Sequence, residues 1–468
     1  MKALPLPVLT LVFSIWCLST SLQAQPLVTL QKGINTPGLE HAIVAACFYD
    51  TRTDSLVYGF NQHVSVVPAS LQKLITTAAS LDILGADYRY TTRLLMQGEV
   101  DRDGVLQGNL YIVGSGDPLL GSYRYRQTTS DTLFGQWTEA LRSRGVERIA
   151  GRIYYVTAPF EGLQQHPSWQ QGDVGNYYGV GATGLNFHEN MYFVHFDAGS
   201  DIGQPARVVR IRPKNLSLQE HNGVVTGTTG SGDRVVVYGL SSSTERVYTG
   251  TVPLGAHDFA IRAALPSPPH TCADLLASYL RTHGISVSQE TLEAGTAPSD
   301  VRTVSIYQSP RLRQIVQYTN RTSNNLYAES LFKTIGANRL GKGSFETGTH
   351  AIEEWLDNIG VEYTGTSVVD GSGLSRLDRV TTDMLCRMLC QLTRKPWFND
   401  YLSSLRTDPK RPKVHYKTGS MDGIRAQAGY ISLANGRMLT YAIVINQYEC
   451  SASAAEKTIN DIIEHIAQ

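Results

Sequence analysis

Apolar residues run almost unbroken from Ala42 to Tyr49, polar ones from Asp50 to Ser55, and apolar ones again from Leu56 to Phe60. That pattern predicts two strands joined as a hairpin. After Ser70, the residues Leu71, Leu74, Ile75, Ala78 and Leu81 recur at helical spacing as far as Gly85. They predict a helix opened by Ser70, with one face buried. From about Tyr88 to His270 the texture changes to short β-like runs, among them Thr91–Gln97, Asn109–Val113, Arg152–Val156 and Arg207–Arg212. A helix over Thr132–Gly145 interrupts them, and Gly, Asp and Asn turns separate them.

Helical spacing returns beyond Pro269, over Cys272–His283, Pro310–Tyr318, Asn325–Gly336, Ser344–Ile359 and Thr382–Thr393. The chain closes with expected strands at Lys417–Thr418, Ala426–Ser432 and Met438–Gln447. Asn435-Gly436 is read as a two-residue hairpin turn between the last two. In a final helix, Ser453–Ala467, Ile459, Ile462, Ile463 and Ile466 share a face that should pack on that sheet. One sheet therefore takes strands from both ends of the chain. The fold class is α+β, a domain split by a long strand-rich insertion. The stretch Thr226–Asp233 lacks the Lys-[Ser/Thr] of a phosphate loop and is read as an exposed hairpin tip.

Composition narrows the function. Lys+Arg and Asp+Glu are equal at 41 each, which gives no electrostatic argument for nucleic acid or an anionic membrane. The first 24 residues read as a secretory signal, with Lys2 as the basic part, Val8–Leu18 as the apolar part and Ala24 at the cleavage site. The bulky Trp16 before Cys17 opposes a lipoprotein site. An exported, periplasmic protein is expected, soluble or loosely associated with membrane or cell wall, with no transmembrane anchor after signal removal. Five cysteines would remain, Cys47, Cys272, Cys386, Cys390 and Cys450, and an odd number leaves at least one unpaired or intermolecular. Cys386 and Cys390, one helical turn apart, are poorly placed for a mutual disulfide. Most of the five are read as small buried hydrophobes. No CxxC, HExxH or clustered histidine set is present, so neither a metal nor another cofactor is expected.

Three short motifs carry the chemistry: Ser70-Leu-Gln-Lys73, Ser323-Asn-Asn325 and Lys417-Thr-Gly419. Ser-x-x-Lys also occurs at Ser330-Leu-Phe-Lys333, inside a helical run, whereas Ser70 follows an extended Val-Val-Pro-Ala. Serine is a poor nucleophile until a base takes its proton. Ser70 and Lys73 share a helix face, and Lys73 must be neutral to act, a state favoured by burial and by cations such as Lys417. Ser323 offers a hydroxyl to relay a proton to the leaving amine, and Asn325 an amide to orient substrate and base. Lys417 and Thr418 suit a substrate carboxylate, and Gly419 close approach of a substrate backbone to a strand edge. The backbone N–H groups of Ser70 and Ser420 complete an oxyanion hole.

With these motifs stand Pro68–Thr76, Val113-Gly-Ser-Gly-Asp-Pro118, Ser323–Glu329, Asp370-Gly-Ser-Gly-Leu-Ser-Arg376, His415–Ser420 and Ala428-Gly-Tyr430. Together they resemble the D-alanyl-D-alanine carboxypeptidase/endopeptidase family, the class C low-molecular-mass penicillin-binding proteins (peptidase family S13). The resemblance implies a penicillin-binding-protein/serine β-lactamase-like catalytic domain, an antiparallel sheet flanked by helices. Its expected organisation is a signal over 1–24, catalytic parts over 25–87 and 271–468, and inserted subdomains over 88–270. It implies an acyl-serine mechanism on peptidoglycan stem peptides, with β-lactams as covalent inhibitors of the same serine. In Trp169-Gln-Gln-Gly-Asp173 it implies that Asp173 recognises the amino end of a diaminopimelate side chain. The second motif departs from the common Ser-Asp-Asn at its middle position, which in the family pattern points away from the chemistry. A β-lactamase or esterase on the same fold, and a non-catalytic cell-wall-binding scaffold, are the competing readings.

Overall fold

A computed structural model describes residues 36–467, so the expected signal segment and Cys17 lie outside the described residues. The chain divides into two compact units. The first takes the chain up to Leu71 together with Leu356–Ser367 and the chain from Asp378 onward. The second takes Gln72–Trp355 and Val368–Leu377.

The first unit is built on a six-stranded antiparallel sheet in the order Arg406–Asp408, Arg411–Met421, Ile424–Ser432, Met438–Asn446, Ile43–Asp50, Ser55–Phe60. Strands from both chain ends thus share one sheet, and Ile43 stands opposite Asn446. Ile43–Asp50 is buried from Val44 to Asp50, because both faces of the sheet are covered. That is why it reads as a continuous apolar run rather than an alternating one. On one face Ile459, Ile462 and Ile463 of the closing helix Ala452–Ala467 join Val44, Phe48, Ile431, Tyr441 and Ile443 in one core. The helix Thr382–Leu392 is packed on the same sheet, where the Cys386 thiol donates to the Cys47 carbonyl. Asp50, itself buried, accepts from Arg437 Nε at 2.6 Å beside the last hairpin. That hairpin turns through three residues, not two. Leu433 N–H donates to Arg437 O, and Gly436 supplies the left-handed residue at φ +80°, the usual ending of a three-residue loop.

The second unit carries the strand-rich segment. Its five-stranded sheet runs Leu292–Glu293, Ile153–Val156, Leu110–Val113, Thr91–Gln97, Val301–Gln308. Leu110–Val113 and Ile153–Val156 are parallel, and the helix Ser130–Arg142 lies in the connection between them, as parallel neighbours require. Leu133, Trp137 and Leu141 of that helix and Cys272, Leu276 and Leu280 of Pro268–Thr282 fill the core beside Leu94 and Ile112. A second core, containing Tyr192, Phe196, Val237, Tyr248 and Ile261, lies between a three-stranded and a four-stranded sheet. The strand-rich body extends past residue 270, since Val301–Gln308 pairs along Thr91–Gln97.

The loop over Thr226–Asp233 is exposed near its tip but is not a hairpin. The strands flanking it, Val225–Gly227 and Arg234–Tyr238, each pair with Glu245–Pro253, one parallel and the other antiparallel. The loop therefore crosses from one side of that central strand to the other. Among the described residues all five cysteines are free thiols, four of them buried.

Candidate active site

The first unit holds Ser70, Lys417, Thr418, Gly419 and Ser420. Val66 is bridged to Val380, and Pro68 then delivers the chain to Ala69, a buried residue with φ +47°. An L-residue in this region costs on the order of 1 kcal/mol or more, and it turns the chain abruptly into the Ala69–Leu71 turn that carries Ser70. The turn runs directly into the helix Gln72–Leu84. Against it lies Arg411–Met421: a Cβ built on Gly419 would sit 2.6 Å from Pro68 O. The close approach that glycine permits here is to the chain's own serine turn. This brings the Ser70 turn and the Lys417-Thr-Gly strand together.

Lys417 is 1% exposed, and its Nζ donates to Thr418 O at 2.8 Å. Thr418 is partly buried and Ser420 exposed. The short outer strand Arg406–Asp408 reaches only as far as Tyr416, so Lys417–Met421 has a single strand partner, Ile424–Ser432. This stretch is an open sheet edge of the kind that takes an added peptide strand.

The second unit holds Lys73, Asp173, Ser323 and Asn325. Lys73 is fully buried, and its Nζ donates to Ser372 O at 2.7 Å. Thr76, on the same helix, donates to Gly371 O at 2.7 Å. That helix packs against Leu312–Thr322 and Asn325–Leu340, the two helices that meet at the second motif. Ser323 ends the former at φ +58°, and Asn324 caps the latter, accepting from Tyr327 N–H at 3.1 Å. Asn324 is thus a helix cap, a position where Asn and Asp serve almost equally well, and this accounts for the departure from Ser-Asp-Asn.

Asn325 Nδ2 donates to Tyr178 O at 2.7 Å, and the Tyr178 side chain stands near enough to the Asp173 carboxyl to act on it. Burial pushes that carboxyl up, against the pull of Tyr178 and of the Arg376 guanidinium. Tyr178 is thus the residue that both the Asn325 amide and the Asp173 carboxyl face. Further along, Tyr327 donates to Glu189 at 3.0 Å. Glu189 is also paired with Arg124 at 2.6 Å, which ties the Asn325 helix to the strand-rich body.

Ser330 and Lys333 form no second site. Both are buried; the Ser330 hydroxyl accepts from Asn186, and Lys333 Nζ donates to Leu163 O and Ala182 O at 2.8 and 3.0 Å. The lysine is occupied in holding two loops.

Several contributors lie inside the motif segments, but without a role assigned from sequence. Asp370 accepts from the N–H groups of Ser372, Gly373 and Ser375 and from Trp169 Nε1. It thereby winds the Gly-rich loop around its own carboxylate. Glu329 accepts from Gly371 N–H at 3.0 Å. An acid one helical turn beyond Asn325 could have drawn notice; the Ser372 carbonyl and the Tyr178 backbone leave no signature in side-chain identity.

Comparison with known proteins agrees with this architecture. The chain is 28% identical over 450 residues to a D-alanyl-D-alanine carboxypeptidase of Actinomadura sp. (strain R39), covering 90% of this chain and 81% of that one. Among solved structures it is similar to penicillin binding protein 4 (dacB) from Haemophilus influenzae, at 20% identity and TM-score 0.81, over 94% of this chain and 99% of that one. The same Haemophilus protein complexed with a beta-lactam matches at TM-score 0.75 and 19% identity, over the same shares. These likenesses show the fold. Residues 27–468 match the model of the D-Ala-D-Ala carboxypeptidase 3 (S13) family: the chain belongs to this family and is a serine-type D-Ala-D-Ala carboxypeptidase.

Proposed function

We propose that Ser70 is the nucleophile that cleaves the D-Ala-D-Ala terminus of peptidoglycan stem peptides, or a D-Ala cross-link, in the periplasm. Lys73 takes the Ser70 proton as Oγ attacks the carbonyl carbon, and the N–H groups of Ser70 and Ser420 receive the oxyanion. On collapse the C–N bond breaks, and the proton passes through Ser323 to the departing amine. Water then attacks the acyl-serine, releasing the shortened peptide and restoring the Ser70 hydroxyl. Asn325 orients substrate and base. Lys417 and Thr418 receive the terminal carboxylate, the substrate chain lies along the open edge at Lys417–Ser420, and Asp173 binds the amino end of the diamino acid.

The observation that carries this reading is a fully buried lysine three residues beyond Ser70, in the first turn of the helix Gln72–Leu84, whose amine is held by a backbone carbonyl. Such an amine has a fixed direction, as a proton acceptor needs. Carboxypeptidase and endopeptidase cleavage differ only in the leaving group beyond the scissile bond, so one site serves both. The beta-lactam complex of the Haemophilus relative supports acylation of Ser70 by penicillins.

The test is the intact mass of the mature protein after incubation with benzylpenicillin, beside Ser70→Ala. A stable single adduct on the wild type, lost in the variant, is expected. Rapid antibiotic turnover without an adduct would favour the β-lactamase reading. Neither adduct nor turnover would favour the scaffold.

A further inference from the structure

The Asp370–Arg376 loop meets the Lys73 helix through two carbonyls, Gly371 O on Thr76 and Ser372 O on Lys73. Its other side is held by Glu329, fully buried, whose Oε2 accepts the Gly371 N–H at 3.0 Å. A Cβ on Gly371 would meet Ala328 O and Phe332 Cβ, each at 2.6 Å, so the loop backbone lies flush on the Asn325–Leu340 helix. Gly371 is thus fixed through both its N–H and its carbonyl, on two successive peptides, and the next carbonyl along bears the lysine amine. We propose that Glu329 is a positioning residue for acylation: through Gly371 it fixes the Ser372 carbonyl, which aims the Lys73 amine. The inference rests on Ser70 and Lys73 acting as proposed above.

Glu329 does this best as a neutral acid. Burial first, and then the carboxylate of Asp370, push its carboxyl up, while the Ser372 side chain, the Gly371 N–H and Lys333, one turn along the same helix, pull the other way. Asp370 accepts from four N–H donors, whereas Glu329 accepts from Gly371 N–H in a fully buried setting that disfavours its charged form. A neutral acid holds the N–H without adding a second negative charge beside Asp370. The lysine lone pair is then directed by the geometry of a hydrogen bond, as a third group directs the base in other nucleophile–base pairs.

The experiment compares Glu329→Gln, neutral and still an acceptor, with Glu329→Met, of similar size and no acceptor. Acylation by benzylpenicillin is followed across pH, separating the rate at saturation from the half-saturating concentration. Glu329→Gln should acylate within about threefold of wild type, and Glu329→Met should lose about 10- to 100-fold in the saturating rate, the scale of a misaligned catalytic group. The acid limb of the Glu329→Met profile should move to lower pH, because its Lys73 ammonium loses a fixed acceptor.

Wild-type rates in Glu329→Met would overturn the proposal. So would equal losses in both variants, or a loss confined to half-saturation with an unshifted profile. Should Glu329→Met fail to fold, Thr76→Val, which frees the carbonyl of the same glycine, must lower the saturating rate; a wild-type rate there overturns the inference. A wild type that forms no adduct at Ser70 removes the underlying site assignment as well, and so is distinguished from failure of Glu329 alone.

Discussion

Lys73 Nζ donates to the Ser372 carbonyl oxygen at 2.7 Å, with the lysine side chain fully out of solvent. An amine can make this bond charged or neutral, so the contact is compatible with either state of the lysine. The direction of the remaining nitrogen valences is set by the fold.

Replacing Lys73 with Met should keep the bulk and lose the base. Acylation by benzylpenicillin should fall by about 10²- to 10⁴-fold, measured as adduct accumulation by mass, with the thermal unfolding midpoint reported alongside. Undiminished acylation would remove Lys73 from the mechanism.

Gly419→Ala places a methyl group 2.6 Å from Pro68 O and 3.2 Å from Ala426 Cβ. Neither neighbour is a flexible side-chain end, so the strand or the serine turn must shift. The variant should lose about 1–3 kcal/mol of stability and acylate more slowly. Denaturant unfolding together with the acylation rate tests this, and a fully active, equally stable variant would show that the turn yields freely.

Asn324 makes a different prediction from its two motif neighbours. Asn324→Ala should cost about 1 kcal/mol through the lost cap, and Asn324→Asp only a few tenths. Both should retain acylation of Ser70. Loss of acylation in Asn324→Asp at unchanged stability would place this side chain in the chemistry.

Asp117, in the Gly-Asp-Pro signature, has its carboxyl pushed up to about 7 by burial, against the pull of the Leu119 N–H. Below the ordinary carboxylate range both folded and unfolded forms are protonated. As pH rises toward 7 the unfolded chain ionises first, so stability falls through this interval and then levels off. Asp117→Asn keeps the Leu119 acceptor and removes the ionisation. It should be more stable than wild type at pH 8, on the order of a few kcal/mol, with much of that advantage gone at pH 4. Denaturant midpoints at the two pH values decide it; equal midpoints at pH 8 would show that the carboxylate is stabilised when charged.

Legibility in the sequence followed the range of the interactions. Ile43–Asp50 and the isoleucine face of Ala452–Ala467 were readable because burial writes itself into local periodicity. The Ser70 helix and the second-motif helix were readable for the same reason, with Gly85 as a visible stop at φ +84°. Arg411–Met421 was anticipated only at Lys417–Thr418, since Lys413, His415 and Ser420 break any apolar alternation. The Val301–Gln308 strand, buried at only two of its eight positions, gave no hydrophobic signal; its pairing with Thr91–Gln97 determines it. At the site, nucleophile and base candidates were legible because chemistry restricts residue type. The carbonyls of Ser372 and Tyr178 were not, because any residue supplies one.

The six-stranded sheet also sets an order of assembly. Ile43–Asp50 and Met438–Asn446 lie roughly 400 residues apart in sequence, and a closure of that length adds little entropy over a shorter one but is slow to be found. Until the closing strands are made, Ile43–Asp50 has only Ser55–Phe60 beside it and offers an apolar edge to any passing chain. A chain cut before Met438 would leave that edge permanently open, so the last thirty or so residues, which also hold Val67 ahead of the serine turn through Asn446, govern whether the chain escapes edge-to-edge association long enough to become an enzyme.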